Sequence, residues 1–315
     1  MARITPNMFT LLNEQRVNKL HGSRIFNVLD FVSEDSEKLT KITGLSLLEI
    51  EVIRKEIALR FAGIVKDPVK LFQQQKQYIS TGIENLDKLL GGGLYACRFY
   101  EICGNSSAGK TQLCITLAAN IALNSSAEIH YIDTKKDFSA TRLQSILEAK
   151  NTSDEITAKI MSQIKVTTLK SITELFTLLH NFSSSFKARN DSDRPKLIII
   201  DSLPAIFPMS EENTEYFSSL NHLSNVCKYL AHEYCLTIVT VNLIRVWREN
   251  ELRELKSNED VELIPHLGKY WMNVPNTRLF IDKQDNEIRE IKVLQSTELE
   301  INFNVQVNIT NAGVI

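Results

Sequence analysis

The pattern of apolar and polar positions divides the chain into three stretches. Residues 1–62 carry helical periodicity. Apolar residues recur at helical spacing over 25–31 and again over 36–42, and Gly44 then interrupts. Ser46 with Glu49 three residues on has the form of a capping box, after which Leu47, Ile50, Ile53 and Ile57 fall on one helix face. A short helix, a glycine turn and a second helix suit two purposes. One is a helix-hairpin-helix that grips DNA phosphate through backbone amides. The other is a small interaction domain whose helices pack on each other.

Residues 63–78 contain Asp67-Pro68 and the run Gln73, Gln74, Gln75, with weak periodicity, and read as a linker. From residue 79 onward short apolar strands at 99–103, 128–132, 164–168, 197–200 and 236–241 alternate with helical stretches. Such runs flanked by helices predict a parallel sheet covered on both faces. The segment 183–195 reads as a surface loop. After Thr277 strand follows strand, at 278–282, 289–295 and 301–309, which predicts antiparallel strands at the sheet edge. The expected fold class is α/β, a mostly parallel sheet with antiparallel edge strands, preceded by a small all-α N-terminal domain.

Composition narrows the functional classes. The 315 residues are 43% hydrophobic and 23% charged, with eleven Gly and seven Pro, which excludes collagen-like and linker-like chains. No apolar run approaches the roughly 18–20 residues of a membrane span. The first twenty residues mix charges and amides among apolar positions, so no secretory signal is expected. No repeat of solenoid length is present. Cys97, Cys103, Cys114, Cys227 and Cys235 have neither zinc-ligand nor redox spacing and read as buried thiols of a reducing compartment. The six histidines share no ligand spacing. A formal net charge of -2 argues against a dedicated non-specific DNA coat while leaving room for a local nucleic-acid site.

The strongest chemical signal is Gly104-Asn105-Ser106-Ser107-Ala108-Gly109-Lys110-Thr111, which fits G-x-x-x-x-G-K-[ST] at every fixed position. The apolar strand 99–103 precedes it and a helix-forming stretch, 111–123, follows. The chemistry needs this order: successive backbone N–H groups make an anion nest, and the helix N-terminus adds positive partial charge. Gly109 allows close backbone approach, Lys110 reaches the β and γ phosphates, and Thr111 offers a hydroxyl to Mg²⁺. The run Leu197-Ile198-Ile199-Ile200-Asp201 supplies the second half of the site: a central strand ending in an acid that holds the metal through water. ATP and Mg²⁺ are therefore the expected cofactors.

Beyond these residues, the stretch Ser80-Thr81-Gly82-Ile83-Glu84-Asn85-Leu86-Asp87 with Gly91-Gly92-Gly93-Leu94 resembles the opening segment of the eukaryotic RecA-type recombinase family. Gln112 continues the phosphate loop as it does there. Leu267-Gly268-Lys269-Tyr270-Trp271 and Pro275-Asn276-Thr277-Arg278-Leu279 resemble the D-type paralogue branch of that family. The resemblance covers nearly the whole chain. It implies a RecA-like phosphate-loop ATPase core over 79–315, a linker over 63–78 and an interaction domain over 1–62. It also implies a nuclear role in homologous-recombination repair as a mediator or assembly subunit. The implied partners are related paralogues in a hetero-oligomer, a C-type one on the core and an XRCC-type small one on the N-terminal domain. By the same resemblance Arg142 lies near the nucleotide base and Asn242 is a polar nucleotide contact.

Three departures from the family pattern bear on mechanism. Lys135, in Tyr131-Ile132-Asp133-Thr134-Lys135-Lys136-Asp137, stands where active members carry the glutamate that polarises the attacking water. A protonated lysine is no base, and nearby phosphates keep it protonated. Leu243 replaces the glutamine that senses the γ-phosphate, and an apolar side chain relays no hydrogen bond. The first of the two central loops, near 207–216, holds Glu211, Glu212 and Glu215 with no basic residue. The second, near 245–264, holds Arg245, Arg248, Arg253 and Lys256, with Trp247 available for stacking, among a larger number of acids. Those four basic residues are the DNA candidates, and the expectation is weak single-stranded DNA binding with little ATP hydrolysis.

Overall fold

The computed structural model describes residues 2–61, 67–125, 127–207, 214–248 and 261–315. The chain divides into two compact units, Met1–Asp67 and Pro68–Ile315.

The first unit holds the helices α1 (Glu14–Gly22), α2 (Val28–Ser33), α3 (Ser36–Thr43) and α4 (Leu47–Phe61). Polar side chains start them: Asn13, Asn27 and Asp35 each accept a backbone N–H of the first turn. Ser46 and Glu49 make the box that starts α4, Ser46 N–H donating to Glu49 Oε2 at 2.7 Å and Glu49 N–H to Ser46 Oγ at 3.3 Å. Leu20, Phe31, Leu39, Ile50 and Ile53 close the core with no exposed surface. Helix α2 is shorter than the 25–31 periodicity suggests. Asn27 and Asp30 cap each other's backbone there, and Asn27 is bridged to Arg3 as extended chain. Helix α1 is a separate element that pattern alone does not single out, because it buries only Val17 and Leu20.

The turn from α3 to α4 distinguishes the two purposes open from sequence. Gly44 has φ +73, and its N–H donates to Thr40 O at 2.8 Å. Leu45 N–H donates to Thr43 Oγ1 at 3.2 Å, and Ser46 N–H to the Glu49 carboxylate. The amides that would hold a phosphate are satisfied inside the turn, and a carboxylate faces them. This geometry favours a packing domain over a phosphate-gripping hairpin.

The second unit begins with α5 (Pro68–Gln75), which buries none of its residues. The linker expected over 63–78 is thus partly helical, with Pro68 opening the helix where its missing N–H does no harm; residues 62–66 lie outside the described residues. A short clasp follows, in which β1 (Tyr78–Ile79) pairs with β2 (Leu94–Tyr95) across α6 (Glu84–Leu90).

The main sheet contains β3 (Phe99–Gly104), β4 (Ile129–Asp133), β5 (Ile164–Thr168), β6 (Leu197–Asp201), β7 (Thr237–Arg248), β8 (Val261–Pro265), β9 (Thr277–Lys283), β10 (Ile288–Ser296), β11 (Asn304–Thr310) and β12 (Gly313–Val314). Their order is β12-β11-β10-β9-β3-β7-β6-β4-β5, with β8 folded back on β7. Strands from β9 through β5 run parallel, and β9 through β12 are antiparallel neighbours. Helices α7 (Lys110–Asn124), α8 (Ala140–Glu148) and α9 (Asp154–Gln163) cover one face; α10 (Ile172–Lys187) and α11 (Thr214–Glu233) cover the other. The alternation is clean on β6. Leu197 and Ile199 pack toward α7 to α9, while Ile198 and Ile200 pack toward α10 and α11. Each such buried side chain contributes about 1.5–3 kcal/mol.

Two boundaries differ from the sequence pattern. The last long strand begins at Asn304 rather than near 301, because Asn302 turns the chain at φ +70. The second central loop is shorter than 245–264. Strand β7 runs on through Arg248, and β8 returns from Val261, pairing Arg245 with Ile264. Arg245 and Arg248 are therefore on a strand, while Arg253 and Lys256 lie outside the described residues, as do 208–213 of the first loop. No described helix is long and apolar enough to cross a membrane.

Candidate nucleotide site

Parallel register brings the ends of β3, β4 and β6 to one rim beside the middle of β7. Gly104 at the end of β3 pairs with Leu243 of β7, and Asp133 at the end of β4 pairs with Asp201 at the end of β6. The loop from Gly104 to Gly109 leaves this rim and enters α7 at Lys110. Asn105, Ser106 and Ser107 are exposed, whereas Ala108 and Lys110 are buried. Ser107 at φ +61 and Gly109 at φ +105 give the left-handed turns from which successive N–H groups form an anion nest. The loop is held from behind. A Cβ at Gly104 would stand 2.3 Å from Ile281 O of β9. Arg289 of β10, which sequence reasoning did not single out, donates from Nε to Ala108 O at 2.9 Å.

Lys110 Nζ donates to the carbonyls of Gly104 (2.9 Å) and Asn105. Burial pushes its pKa below the usual lysine value; the positive charge of Lys135 pushes the same way, and Asp201 opposes. Asp201 is 3% exposed and accepts the Tyr131 hydroxyl at 2.8 Å on Oδ2. Its Oδ1 is buried and has no hydrogen-bond partner. Burial raises the Asp201 pKa, while the Thr111 and Tyr131 hydroxyls and the Lys135 charge hold it down. An orphaned, buried carboxylate oxygen beside a threonine hydroxyl is the donor set a hard divalent cation takes. Thr111, Lys110 and Asp201 are thus gathered at one place.

The turn after β4 carries Lys135 into this cluster. Asp133 organises it: Oδ1 accepts the N–H groups of Lys135, Lys136 and Asp137 at 3.1, 2.8 and 3.2 Å, and Oδ2 accepts that of Phe138 at 3.0 Å. Thr134 ties the turn to β6, its N–H donating to Asp201 O at 2.9 Å and its hydroxyl to Ser202 O at 2.7 Å.

Arg142 of α8 is half-buried, not a free surface residue. Its Nε donates to Gln112 Oε1 at 2.8 Å and its Nη1 to Asn311 O at 2.9 Å, with Thr310 O on Nη2. It joins the residue after the phosphate loop to the turn between β11 and β12.

Asn242, expected as a nucleotide contact, is fully buried in β7. Its Nδ2 donates to Glu101 Oε1 at 2.8 Å, and its Oδ1 accepts Leu243 N–H at 2.8 Å, so both ends of the carboxamide are engaged in the core. Glu101, which lies in the middle of β3, is fully buried and also accepts Trp271 Nε1 at 2.6 Å and Arg278 Nε. Sequence reasoning missed this network. Its signals were one acid inside an apolar strand and the Trp271 and Arg278 of the family-like segment.

A phosphate nest on a strand-to-helix turn, a lysine inside it and an acid two strands away define a phosphate-loop nucleotide-binding protein with a RecA-like core. Residues 73–315 match the Rad51 family, and residues 1–59 match the domain described as RAD51D, N-terminal domain. The chain belongs to the Rad51 family. It is 28% identical to the DNA repair protein RAD51 homolog 4 of Mus musculus, over 86% of this chain and 82% of that protein. It is 24% identical to the probable DNA repair protein RAD51 homolog 4 of Dictyostelium discoideum, over 95% and 94%. The meiotic recombination protein DLH1 of Candida albicans is 28% identical over 74% of each chain.

Proposed function

We propose that this chain is an ATP-binding mediator subunit of homologous-recombination repair, which acts in the nucleus, binds single-stranded DNA weakly and turns ATP over slowly or not at all. The observation that carries the reading is a complete phosphate site with a lysine where a catalytic carboxylate would stand. The nest from Gly104 to Thr111 would take the phosphates, and Gln112 and Arg142 would lie toward the base. Thr111 and Asp201 would hold Mg²⁺, which neutralises phosphate charge. Lys135 sits in a turn pinned by Asp133 and Thr134 and supplies no acceptor for a water proton. Asp137 lies exposed two residues further on, and its N–H helps hold the turn on Asp133.

The relatives named as DNA repair and meiotic recombination proteins support the cellular role. A partner on the N-terminal domain, of the XRCC-type small paralogue kind, is supported by a groove lined by Val28, Leu29, Val32, Ile57 and Phe61. A C-type paralogue on the core would complete a hetero-oligomer. Arg245 and Arg248 are the DNA candidates on described strand. Equilibrium ATP binding and steady-state turnover, with and without single-stranded DNA and beside Lys110→Ala, test the proposal. Binding lost in Lys110→Ala, with no DNA-stimulated turnover, is the expected result. Fast DNA-stimulated turnover that disappears in Lys110→Ala would make the protein a working recombinase motor instead.

A further inference from the structure

Lys135 is an exposed cation with a fixed backbone at the rim where the buried Lys110 and Asp201 meet. Its place follows from the register. Asp133 pairs with Asp201 across β4 and β6, Thr134 is hydrogen bonded to the backbone of Asp201 and Ser202, and Lys135 is the next residue. Three N–H groups on Asp133 Oδ1 fix the turn, and Lys136 takes φ +65 to permit it. The positive charge of Lys135 lowers the pKa of both Lys110 and Asp201. Lys110 and Lys135 bring two positive charges to this rim, and of the two buried carboxylates there Asp133 is committed to four N–H groups of its own turn, which favours a further anion. An incoming phosphate is such an anion, and the group that reaches furthest from the nest toward the rim is the terminal one.

We propose that Lys135 binds the terminal phosphate of the nucleotide, so that this site distinguishes a triphosphate from a diphosphate by charge alone. This rests on the nucleotide-binding reading above and deepens it. The extra negative charge of a triphosphate meets a second ammonium, and a charge-assisted contact of this kind is stronger than a neutral one. The chain then reports the triphosphate state by holding it rather than by cleaving it.

The test measures the affinities of a non-hydrolysable ATP analogue and of ADP for the full chain, for Lys135→Gln, for Lys135→Glu and for Lys110→Ala, at two ionic strengths. Lys135 is exposed, so its substitution leaves folding intact, which thermal unfolding verifies. The wild-type chain is expected to prefer the triphosphate, and Lys135→Gln to reduce that preference by about tenfold with ADP affinity little changed. Lys135→Glu should reverse the preference, and salt should weaken triphosphate binding more steeply in the wild type than in Lys135→Gln. An unchanged triphosphate-to-diphosphate ratio in Lys135→Gln overturns this proposal while leaving nucleotide binding intact. Failure of the wild type to bind either nucleotide overturns both readings.

Discussion

Glu101 and Arg278 stand opposite one another on the neighbouring parallel strands β3 and β9 and form an ion pair with 0% and 3% of their side chains exposed. Trp271 and Asn242 take the other hydrogen bonds of the carboxylate, and Arg278 also donates to the carbonyls of Trp271 and Met272 and to Gln295 Oε1. The strand that launches the phosphate loop is thereby tied to β7, to β9 and to the 3-10 turn Lys269–Asn273.

Removing one partner of this pair leaves the other charged and buried. Glu101→Gln or Arg278→Met should each destabilise the protein by roughly 3–5 kcal/mol, and the double replacement by clearly less than the sum. Urea unfolding of the four proteins measures this. Additive losses would mean that the two side chains act independently.

The phosphate loop is constrained by space as well as by charge. A methyl group at Gly104 would stand 2.3 Å from Ile281 O, a backbone atom of β9 that cannot swing away. Gly104→Ala should therefore cost about 1–3 kcal/mol or more through overpacking and weaken nucleotide binding. Gly22, at the end of α1, has nothing within 4 Å of a built Cβ. Gly22→Ala should be neutral or raise stability by up to about 1 kcal/mol. Thermal unfolding of both variants compares the two sites directly.

What could be read from sequence was local. The phosphate loop is one continuous motif, and Asp201 ends an apolar run whose length alone predicts a central strand. The capping box of Ser46 and Glu49 spans four residues. What sequence reading missed depends on partners far along the chain. Arg289 reaches Ala108 across 181 residues, and Glu101 reaches Arg278 across 177. Asn242 sits within an apolar strand, where its carboxamide can turn either way, and only Glu101 on the next strand shows which way it turns. Helix α5 is masked in the sequence by Asp67-Pro68 and the run Gln73 to Gln75, which read as a linker, and the helix buries none of its residues.

The orphaned Oδ1 of Asp201 gives a prediction about metal dependence. Asp201→Asn keeps an oxygen for the Tyr131 hydroxyl and close to the same volume, but it loses the negative charge a divalent cation needs. In the wild-type chain, Mg²⁺ should strengthen ATP binding relative to binding in a chelator. In Asp201→Asn that difference should vanish while metal-free binding persists. Calorimetric titration under both conditions checks it, and an undiminished Mg²⁺ effect would place the metal elsewhere.

His130 on β4 should make stability fall at mildly acidic pH. The ring is 9% exposed, lies 4.3 Å from the Phe182 ring between centroids, and has Nε2 2.8 Å from Glu128 Oε1. Burial lowers its pKa below 6.5; Glu128 opposes, while Arg189 and Lys165 reinforce the lowering. Above pH 6.5 the imidazole is neutral both folded and unfolded and has no effect on the balance. As pH falls below that value the unfolded chain takes up the proton first, so the unfolded state gains and stability drops until the folded pKa is passed. Urea midpoints should therefore decrease between pH 7.5 and pH 5.5. His130→Gln keeps an N–H for Glu128 but does not titrate, so its midpoint should be lower at pH 7.5, through lost ring packing, and should fall less on acidification. Parallel pH profiles for the two proteins would show that His130 carries no part of the acid sensitivity.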